Sequence, residues 1–390
     1  MTVRPASVPA AGPVVEPARS VSLADRLAGW RNRLVASPRF QRFAASFPLT
    51  KPIAQRQSQA LFDLCAGFVY AQVLQACVQL DLFRILEAGP RSVAELAPRL
   101  AMTESATERL LGAAAALDLV ERRSGGRYGL AMLGAALLGN PGVGAMIAHH
   151  RLLYDDLADP LALLRGESRP TALSGYWGYA TADQPAAAPP AEVAAYSALM
   201  AQSQHFVADD ILAAYDFAQH RRILDVGGGE GAFLLRVAAQ AKVPALTLFD
   251  LPAVAARAQV RFEAEGLGAR ASTFGGDMHR DALPGGADLV TLVRVLHDHD
   301  DAAVRALLAR IRACLPSGGT LLIAEPMAGS AETRRMAEAY FAFYLLAMGS
   351  GRARSPEELT AFLREAGFTE IRTLRTRRPL LTGGMTARVA

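Results

Sequence analysis

From Arg222 onward, short apolar runs of β-strand character alternate with helical stretches, and this pattern constrains the fold more than any other feature of the sequence. Five strand-like runs recur in this part of the chain: Ile223–Val226, Ala245–Phe249, Ala271–Phe274, Leu289–Leu292 and Thr320–Ala324. Helical stretches separate them: Gly231–Gln240, Ala253–Glu265, Ala302–Cys314 and Ser355–Ala366. The alternation predicts an α/β fold, a parallel sheet with helices on both faces. The residues from Phe368 to Val389 add two further strands.

The first of these strands ends in a glycine-rich loop, Asp225-Val226-Gly227-Gly228-Gly229-Glu230-Gly231. Because glycine has no Cβ, such a loop lets the backbone approach a ligand closely. In an open α/β sheet the ligand lies outside the carboxyl ends of the strands, where the strand order reverses. We therefore expect Asp225, Gly227 and Gly229 to border a cofactor site.

The second strand ends in Asp250, 21 residues beyond Gly229. An acidic side chain at this place is suited to the two hydroxyls of a ribose. Gly227, Gly229 and Ala232 also give the spacing G-x-G-x-x-A, so a nicotinamide or flavin cofactor remains an alternative. Glu230 would sit poorly against a pyrophosphate, which favours a nucleoside that carries positive charge and no phosphate. S-adenosylmethionine is such a ligand.

Three further groups follow later strands. Asp277 and Met278 come after the third strand, where a carboxylate can bind the adenine amino group and a thioether can cover the ring. His297 follows the fourth strand, and its neutral imidazole can accept a proton near physiological pH. Glu325 ends the fifth strand, where it can orient His297.

We expect no metal site: adjacent strand residues point in opposite directions, so Asp298 and the flanking histidines make a poor ligand set, and Asp298 can instead cap the next helix.

The N-terminal part divides into a flexible tail over residues 1–21 and a basic helical arm over residues 22–58. From Arg26 to Phe62 the chain has seven basic residues and no acidic one, with Trp30 and several phenylalanines between them. Two interpretations remain open. The arm is either a solvated basic face on helices that pack onto the body, or a contact with an anionic membrane surface.

Residues 59–140 have the outline of a winged helix. A short helix, Ser92–Leu100, and a second helix, Thr103–Leu119, precede a strand, a Gly-Gly turn and a second strand over Val120–Leu130. A winged helix can bind DNA, but the second helix is rich in alanine and has Arg109 as its one basic residue. We therefore favour a dimerisation domain and expect no nucleic-acid partner. Residues 141–218 are predicted to form a helical linker that contributes to an acceptor pocket.

Composition adds bounds on location. The three cysteines show no metal-type spacing and suit a reducing compartment. The N-terminus lacks the apolar block of a secretory signal, and no run of 18 uncharged apolar residues occurs, so no spanning helix is expected. We therefore predict a cytoplasmic protein, with peripheral contact at the inner membrane as a second option. A net charge of +4 is weak support for nucleic-acid binding.

The motifs DVGGGEG, FDLP, GGDM, LHD and AEP occur here in the order and spacing of the two-domain O-methyltransferases that use S-adenosylmethionine, which this chain resembles over roughly residues 60–385. The resemblance implies a Rossmann-like seven-stranded methyltransferase sheet over residues 219–390, an N-terminal winged-helix domain that forms a homodimer, and S-adenosylmethionine as cofactor. It also implies that His297 is the general base and that Met200 lies near the acceptor.

The sequence departs from this family at two positions. Where the plant members carry a second catalytic glutamate, this chain has Ala353. Where they carry a lysine that contacts the cofactor, it has Val293, and Arg294 is the expected replacement. The orientation of His297 is therefore expected to rest mainly on Glu325.

Longer stretches, among them LGNPGVGAMIAHHRLLYDDLADP and LLAMGSGRARSPEEL, resemble the carotenoid methyltransferases of purple photosynthetic bacteria. This resemblance implies methylation of the tertiary hydroxyl of an acyclic carotenoid, as in conversion of demethylspheroidene to spheroidene, and thus a hydrophobic small-molecule substrate. The helix from Phe62 to Phe83 and the aromatic run Tyr340–Tyr344 are candidate walls of its tunnel. Three alternatives remain: a polyketide phenol or bacteriochlorophyll precursor as acceptor, a winged-helix regulator that senses S-adenosylmethionine, and a relative with other chemistry on this fold.

Overall fold

The computed structural model of this 390-residue chain describes residues 22–176, 204–243 and 245–390. The predicted tail and Met200 lie outside the described residues. By their internal contacts, the residues form two compact units, Met1–Gln72 and Val73–Ala390.

The first unit is helical where it is described. Helix Leu23–Ala36 begins at Ser22, whose side chain accepts a hydrogen bond from the Asp25 backbone N–H and so satisfies one of the free amides of the first turn. Helix Pro38–Ser46 follows, with proline in its first turn, where no amide hydrogen is needed. The apolar side chains Leu23, Leu27 and Trp30 of the first helix are exposed to solvent, Trp30 by 60%.

A 29-residue helix, Lys51–Gln79, runs from the first unit into the second. By length and composition it is long and apolar enough to cross a membrane. Its most apolar stretch of 18 residues has a mean hydropathy of 1.5, and 11% of that stretch is buried. The predicted helix from Phe62 to Phe83 is wrong at both ends. The helix begins earlier and stops at Gln79, because Asp81 adopts a left-handed backbone (φ 51°) before a separate helix, Leu82–Glu87.

The predicted winged-helix elements follow. Helix Val93–Leu96 starts with a capping box between Ser92 and Glu95, and helix Glu104–Ala116 is capped by Thr103. Strands β1 (Val120–Arg123) and β2 (Arg127–Leu130) then pair antiparallel. The turn between them needs glycine, because Gly125 and Gly126 both have φ near 70°. The strand, turn and strand predicted here are confirmed.

Helices also fill the described part of residues 141–218, namely Pro141–Asp156, Pro160–Arg165, Ala172–Tyr176 and residues 204–214. The aromatic run of the predicted acceptor pocket lies in a π-helical segment, Arg335–Tyr340, and in helix Phe341–Met348. Its side chains form an apolar cluster with Leu153, Leu163 and Leu173 from the earlier helices.

The C-terminal part is built on a seven-stranded sheet. Its strands are β3 (Arg222–Val226), β4 (Ala245–Asp250), β5 (Ala271–Gly275), β6 (Leu289–Val293), β7 (Thr320–Glu325), β8 (Phe368–Leu374) and β9 (Gly383–Val389). Their order is β5-β4-β3-β6-β7-β9-β8, parallel from β5 to β7 and antiparallel at β9 and β8. The predicted α/β fold is confirmed. The chain leaves β3 toward β4 on one side and continues from β6 to β7 on the other, so the switch point lies between β3 and β6.

Two apolar clusters cover the faces of this sheet, as expected when helices lie on both sides. Every residue of β6 and β7 is buried. The helices that supply the cover are Ala232–Gln240, Pro252–Ala264, Asp301–Cys314 and Pro356–Glu365. The carboxyl ends of the parallel strands carry the predicted site residues.

Candidate active site

The glycine loop after β3 has the backbone that its sequence requires. Gly227, Gly229 and Gly231 have φ of 70°, 59° and 77°, a region that side chains with a Cβ rarely adopt. A Cβ on Gly227 would lie 2.8 Å from Val295, and one on Gly231 would lie 2.4 Å from the Phe262 ring. A Cβ on Gly229 would meet nothing within 4 Å. The loop therefore packs tightly on its inner side and faces open space at Gly229.

Asp225 lies beneath this loop. The Thr291 hydroxyl donates a 2.6 Å hydrogen bond to its Oδ1, while Oδ2 is buried and has no partner among the described residues. A Cβ on Gly228 would lie 2.5 Å from that Oδ2, so the free oxygen faces the loop. Burial raises the pKa of Asp225 to about 7. An unpartnered oxygen under a glycine loop fits a cationic hydrogen-bond donor, such as the ammonium group of S-adenosylmethionine.

Asp250 braces the loop from the neighbouring strand. Its Oδ2 accepts a 2.8 Å hydrogen bond from the Gly229 N–H, and its Oδ1 accepts one of 2.7 Å from the Leu251 N–H. Each oxygen keeps a second lone pair, which fits the hydroxyls of a ribose. Burial raises the pKa of Asp250 to about 6. Since β4 pairs with β5, the next strand end places Asp277 and Met278 beside it.

Asp277 and Met278 differ in how they are held. The Asp277 carboxylate accepts a 2.8 Å hydrogen bond from the His279 N–H, which leaves its other oxygen 3.6 Å from the Arg280 guanidinium. Met278 is half-buried against the sheet cluster. These contacts fit a fixed carboxylate and an apolar surface for a purine.

The structure weakens the expectation that Glu230 disfavours a pyrophosphate. Its side chain is 14% exposed and forms an ion pair with Arg257. Because the pair neutralises the carboxylate, repulsion of a pyrophosphate is weaker than the sequence suggested. The choice of S-adenosylmethionine over a dinucleotide therefore depends on the other residues of the site.

His297 lies in a short turn, Leu296–Asp298, directly after β6, and is 7% exposed. Its Nδ1 is 2.5 Å from Glu325 Oε2. Glu325 reaches it because β6 and β7 are adjacent and parallel, so both strands end at the same edge. The other Glu325 oxygen accepts hydrogen bonds from the Val295 and Leu296 N–H groups, at 2.8 and 2.7 Å. The structure thus brings together the two predicted catalytic residues.

The second imidazole nitrogen has a partner that the sequence did not predict. Nε2 of His297 is 3.1 Å from Asp298 Oδ1, although we expected Asp298 to cap the following helix. Burial lowers the pKa of His297, but the carboxylates of Asp298 and Glu325 outweigh this effect and raise it above the ordinary value. Burial raises the pKa of Asp298 to about 6. The Asp298 carboxylate is therefore in direct contact with the imidazole whose pKa it raises.

This contact predicts a pH dependence. A general base must be neutral, and the raised pKa of His297 means that the neutral fraction grows only as pH rises above the ordinary imidazole range. We expect kcat/KM to rise with pH through that pKa. Asp298→Asn removes one negative charge, lowers the pKa of His297 and should move the ascending limb to lower pH. Asp300→Asn, which does not contact the imidazole, should leave the limb in place, and a limb unmoved in Asp298→Asn would contradict the assignment.

Val293 and Arg294 are placed differently, and the predicted contact of Arg294 with the cofactor stays a prediction. The Val293 side chain is buried in the sheet cluster. Arg294 is half-buried with a left-handed backbone (φ 59°), and its Nη1 is 3.3 Å from Gln204 Oε1. A non-glycine residue in this conformation costs about 1–3 kcal/mol and is typical of functional sites. Ala353 carries no group that could replace the second glutamate.

Among the described residues, no set of three or more His, Cys, Asp or Glu side chains is arranged to hold a metal ion.

Comparison with known proteins gives a consistent result. The family model of the O-methyltransferase domain matches residues 154–369, and that of the O-methyltransferase dimerisation domain matches residues 62–140. Demethylspheroidene O-methyltransferase of Cereibacter sphaeroides is 43% identical over 91% of this chain and 93% of its own length. The protein of the same name from Rhodobacter capsulatus is 45% identical over 90% and 87%. Human N-acetylserotonin methyltransferase, solved in complex with S-adenosylmethionine, superposes with a TM-score of 0.71 at 25% identity, covering 86% of this chain and 98% of that one.

Proposed function

Because this chain belongs to the O-methyltransferase family, we propose that it methylates the tertiary hydroxyl of an acyclic carotenoid of the demethylspheroidene type. The methyl donor of this family is S-adenosylmethionine. The acceptor is proposed from two relatives, each more than 40% identical over about nine-tenths of this chain, that are named for that substrate. The observation that supports catalysis is the buried His297, with its imidazole held between Glu325 and Asp298 at the carboxyl end of the sheet.

The proposed division of labour follows the geometry. S-adenosylmethionine supplies, when bound, an electrophilic methyl group on a positively charged sulfur. Asp225, Asp250, Asp277 and Met278 would hold it along the glycine loop, with Arg294 beside them at the switch point. Alignment of an acceptor oxygen with the methyl group can lower the barrier by about 7–11 kcal/mol.

His297 acts as the general base in this proposal. A tertiary alcohol is far less acidic than a phenol, so free alkoxide is scarce and the proton must leave as the new bond forms. Because the Glu325 carboxylate only accepts, the proton of the neutral imidazole lies on Nδ1 and the lone pair on Nε2. In this proposal the acceptor hydroxyl replaces the contact that Nε2 makes with Asp298 Oδ1. General base catalysis of this kind contributes about 10²–10⁴-fold.

The aromatic run is the proposed wall of the acceptor pocket. The Phe341 ring lies edge-on to His297, with ring centroids 5.6 Å apart. Tyr340 and Tyr344 stack on each other, and their hydroxyls contact the imidazoles of His150 and His149, at 2.8 and 3.0 Å. Their hydroxyl groups are thereby satisfied within the cluster, and we propose that a polyene packs against this apolar run. The contributions of Met200 and of the helix from Phe62 remain predictions.

The acceptor is tested by incubating the purified chain with methyl-labelled S-adenosylmethionine and three acceptors: a hydroxylated acyclic carotenoid, a polyketide phenol and a bacteriochlorophyll precursor. Mass analysis should find label on the carotenoid alone. Label on the phenol or the pigment would overturn the acceptor and keep the enzyme class. Sequence-specific DNA binding without transfer would favour the regulator instead.

We also propose a homodimer. The helix Lys51–Gln79 exposes Leu61, Phe62, Leu64 and Phe68, each by 59% or more, and the dimerisation family model begins at residue 62. Exposed apolar surface of this extent is typical of an interface. A second copy of the chain is the proposed cover. Sedimentation of the purified chain as a monomer at micromolar concentration would contradict it.

The basic arm is proposed to contact an anionic membrane surface, which would place the protein at the cytoplasmic face of the inner membrane. The proposal rests on a membrane-borne substrate and on exposed apolar residues, such as Leu27 and Trp30, on a segment without acidic residues from Arg26 onward. Each basic residue near such a surface contributes about 1 kcal/mol.

Neutralising part of the arm in the full chain should therefore weaken this contact. Replacing Arg31, Arg33, Arg39 and Arg42 by glutamine is expected to weaken binding to phosphatidylglycerol-containing vesicles by on the order of 10²–10³-fold. Vesicles of neutral phosphatidylcholine should show little difference. A matched variant with Arg122, Arg123 and Arg127 of the hairpin replaced by glutamine should bind like the parent chain. Equal binding of the arm variant and the parent would refute the membrane role.

A further inference from the structure

The segment Ser350–Arg354 packs directly against the turn that carries His297. The Ser350 hydroxyl donates a 2.8 Å hydrogen bond to the Asp298 carbonyl. Gly351 approaches so closely that a Cβ there would lie 2.2 Å from the His297 carbonyl oxygen. This segment is the one in which Ala353 stands where plant relatives have a glutamate. In this chain the segment contacts backbone atoms of the His297 turn, and no carboxylate from residue 353 takes part.

Arg354 makes the most extensive of these contacts. Its side chain is 2% exposed. Nη1 donates to the Leu296 carbonyl and Nη2 to the His299 carbonyl, both at 2.7 Å. Asp301 neutralises the guanidinium by accepting from its Nε and Nη2, at 2.9 and 2.7 Å. One planar cation thus spans two carbonyls that flank His297 in the chain.

We propose that Arg354 is a positioning residue for His297, which fixes the turn through its carbonyl groups. Glu325 holds the N–H groups of Val295 and Leu296, and Arg354 holds the carbonyls of Leu296 and His299. Glu325 therefore restrains the turn through its N–H donors, and Arg354 restrains it through its carbonyl acceptors. This inference rests on the proposed role of His297 as the base.

Lysine cannot replace this arrangement. Its ammonium is a compact charge on a flexible stem and cannot bridge two carbonyls and a carboxylate with a planar fork. Arg354→Lys keeps the buried charge near Asp301 but loosens the turn. A displacement of about 1 Å at a reacting group can cost about 10²-fold in rate. We expect kcat to fall by about 10–10²-fold, with KM for S-adenosylmethionine changed less than about two-fold.

Arg352→Lys is the matched control. Arg352 also binds Asp301, at 2.9 and 3.0 Å, and contacts Glu358, but its side chain donates to no carbonyl of the His297 turn. It should retain kcat within about two-fold. If both variants lose activity equally, the effect passes through Asp301 and the fold, and the proposal is wrong. If Arg354→Ala folds, millimolar guanidinium should restore part of its kcat and an ammonium salt should not.

A readout independent of turnover separates this proposal from the proposed function. Proton NMR titration of the histidine ring signals follows the imidazole in the chain without an acceptor. The His297 signal is identified by its loss in His297→Gln. In Arg354→Lys a loosened turn weakens the contacts with Asp298 and Glu325, so His297 should titrate at lower pH than in the parent. In Arg352→Lys it should titrate as in the parent. An unchanged His297 titration in a folded Arg354→Lys chain overturns the inference, whichever acceptor is found.

Discussion

His297→Ala is expected to lower kcat for methyl transfer by about 10²–10⁴-fold, the range that a positioned general base supplies. The loss should appear in kcat, because the imidazole acts on the acceptor proton during transfer. The affinity for S-adenosylmethionine, measured by calorimetry, should stay within about two-fold, because Asp225, Asp250, Asp277 and Met278, which are proposed to hold the donor, lie at the ends of other strands. Single-turnover measurements with labelled donor would establish that the chemical step is affected.

His220 provides a control for loss of a buried histidine. It is 8% exposed and lies just before β3, at the amino end of the sheet, where it pairs with Tyr215 and Asp288. His220→Ala should lower the melting temperature without comparable loss of transfer rate. If His297→Ala turns over at the parent rate with donor bound, His297 is not the base.

The second large effect is expected for Glu325→Gln, which keeps the shape of the side chain. The Gln oxygen can still accept from the Val295 and Leu296 N–H groups, but its NH₂ group then faces His297 Nδ1. The imidazole must accept at Nδ1 and carry its proton on Nε2, where the base lone pair is needed. In serine proteases the equivalent exchange of a carboxylate for an amide lowers kcat by about 10⁴ through the wrong tautomer. We expect a loss of about 10²–10⁴-fold here.

Glu325→Asp distinguishes this explanation from a loss of packing. Aspartate restores an acceptor for Nδ1 but is shorter by one methylene, so it should recover part of the rate that Glu325→Gln loses. Steady-state kinetics at several pH values would compare the variants, together with their melting temperatures. A Glu325→Gln chain that is fully active, or a Glu325→Asp chain that is no better, would contradict the role given to the carboxylate.

The sheet and the main site residues were predictable because their signals are local. A buried parallel strand is a short apolar run, and the residue after it must lie at the carboxyl edge of the sheet. Asp250, His297 and Glu325 all stand at such ends. Their convergence therefore follows from strand order, and the resemblance of the motifs to a known family supplied the roles.

The contacts that refine the site were not predictable in the same way. Arg354 reaches Leu296 across 58 residues, and only the folded chain shows that the two meet. Asp298 follows His297 directly, and a strand pattern would place the two side chains on opposite sides. The short turn Leu296–Asp298 replaces the strand there, so that the carboxylate can fold back onto Nε2. The end of helix Lys51–Gln79 was also not predictable, because apolar residues continue past the point where the helix stops.

A crystal structure of the chain with S-adenosylhomocysteine and a hydroxylated acyclic carotenoid tests the central claim most directly. The account predicts the nucleoside along the loop at Gly227–Gly231 and the acceptor hydroxyl about 2.6–3.2 Å from His297 Nε2. An imidazole that points away from the acceptor oxygen, or a loop that holds no nucleoside, would contradict it.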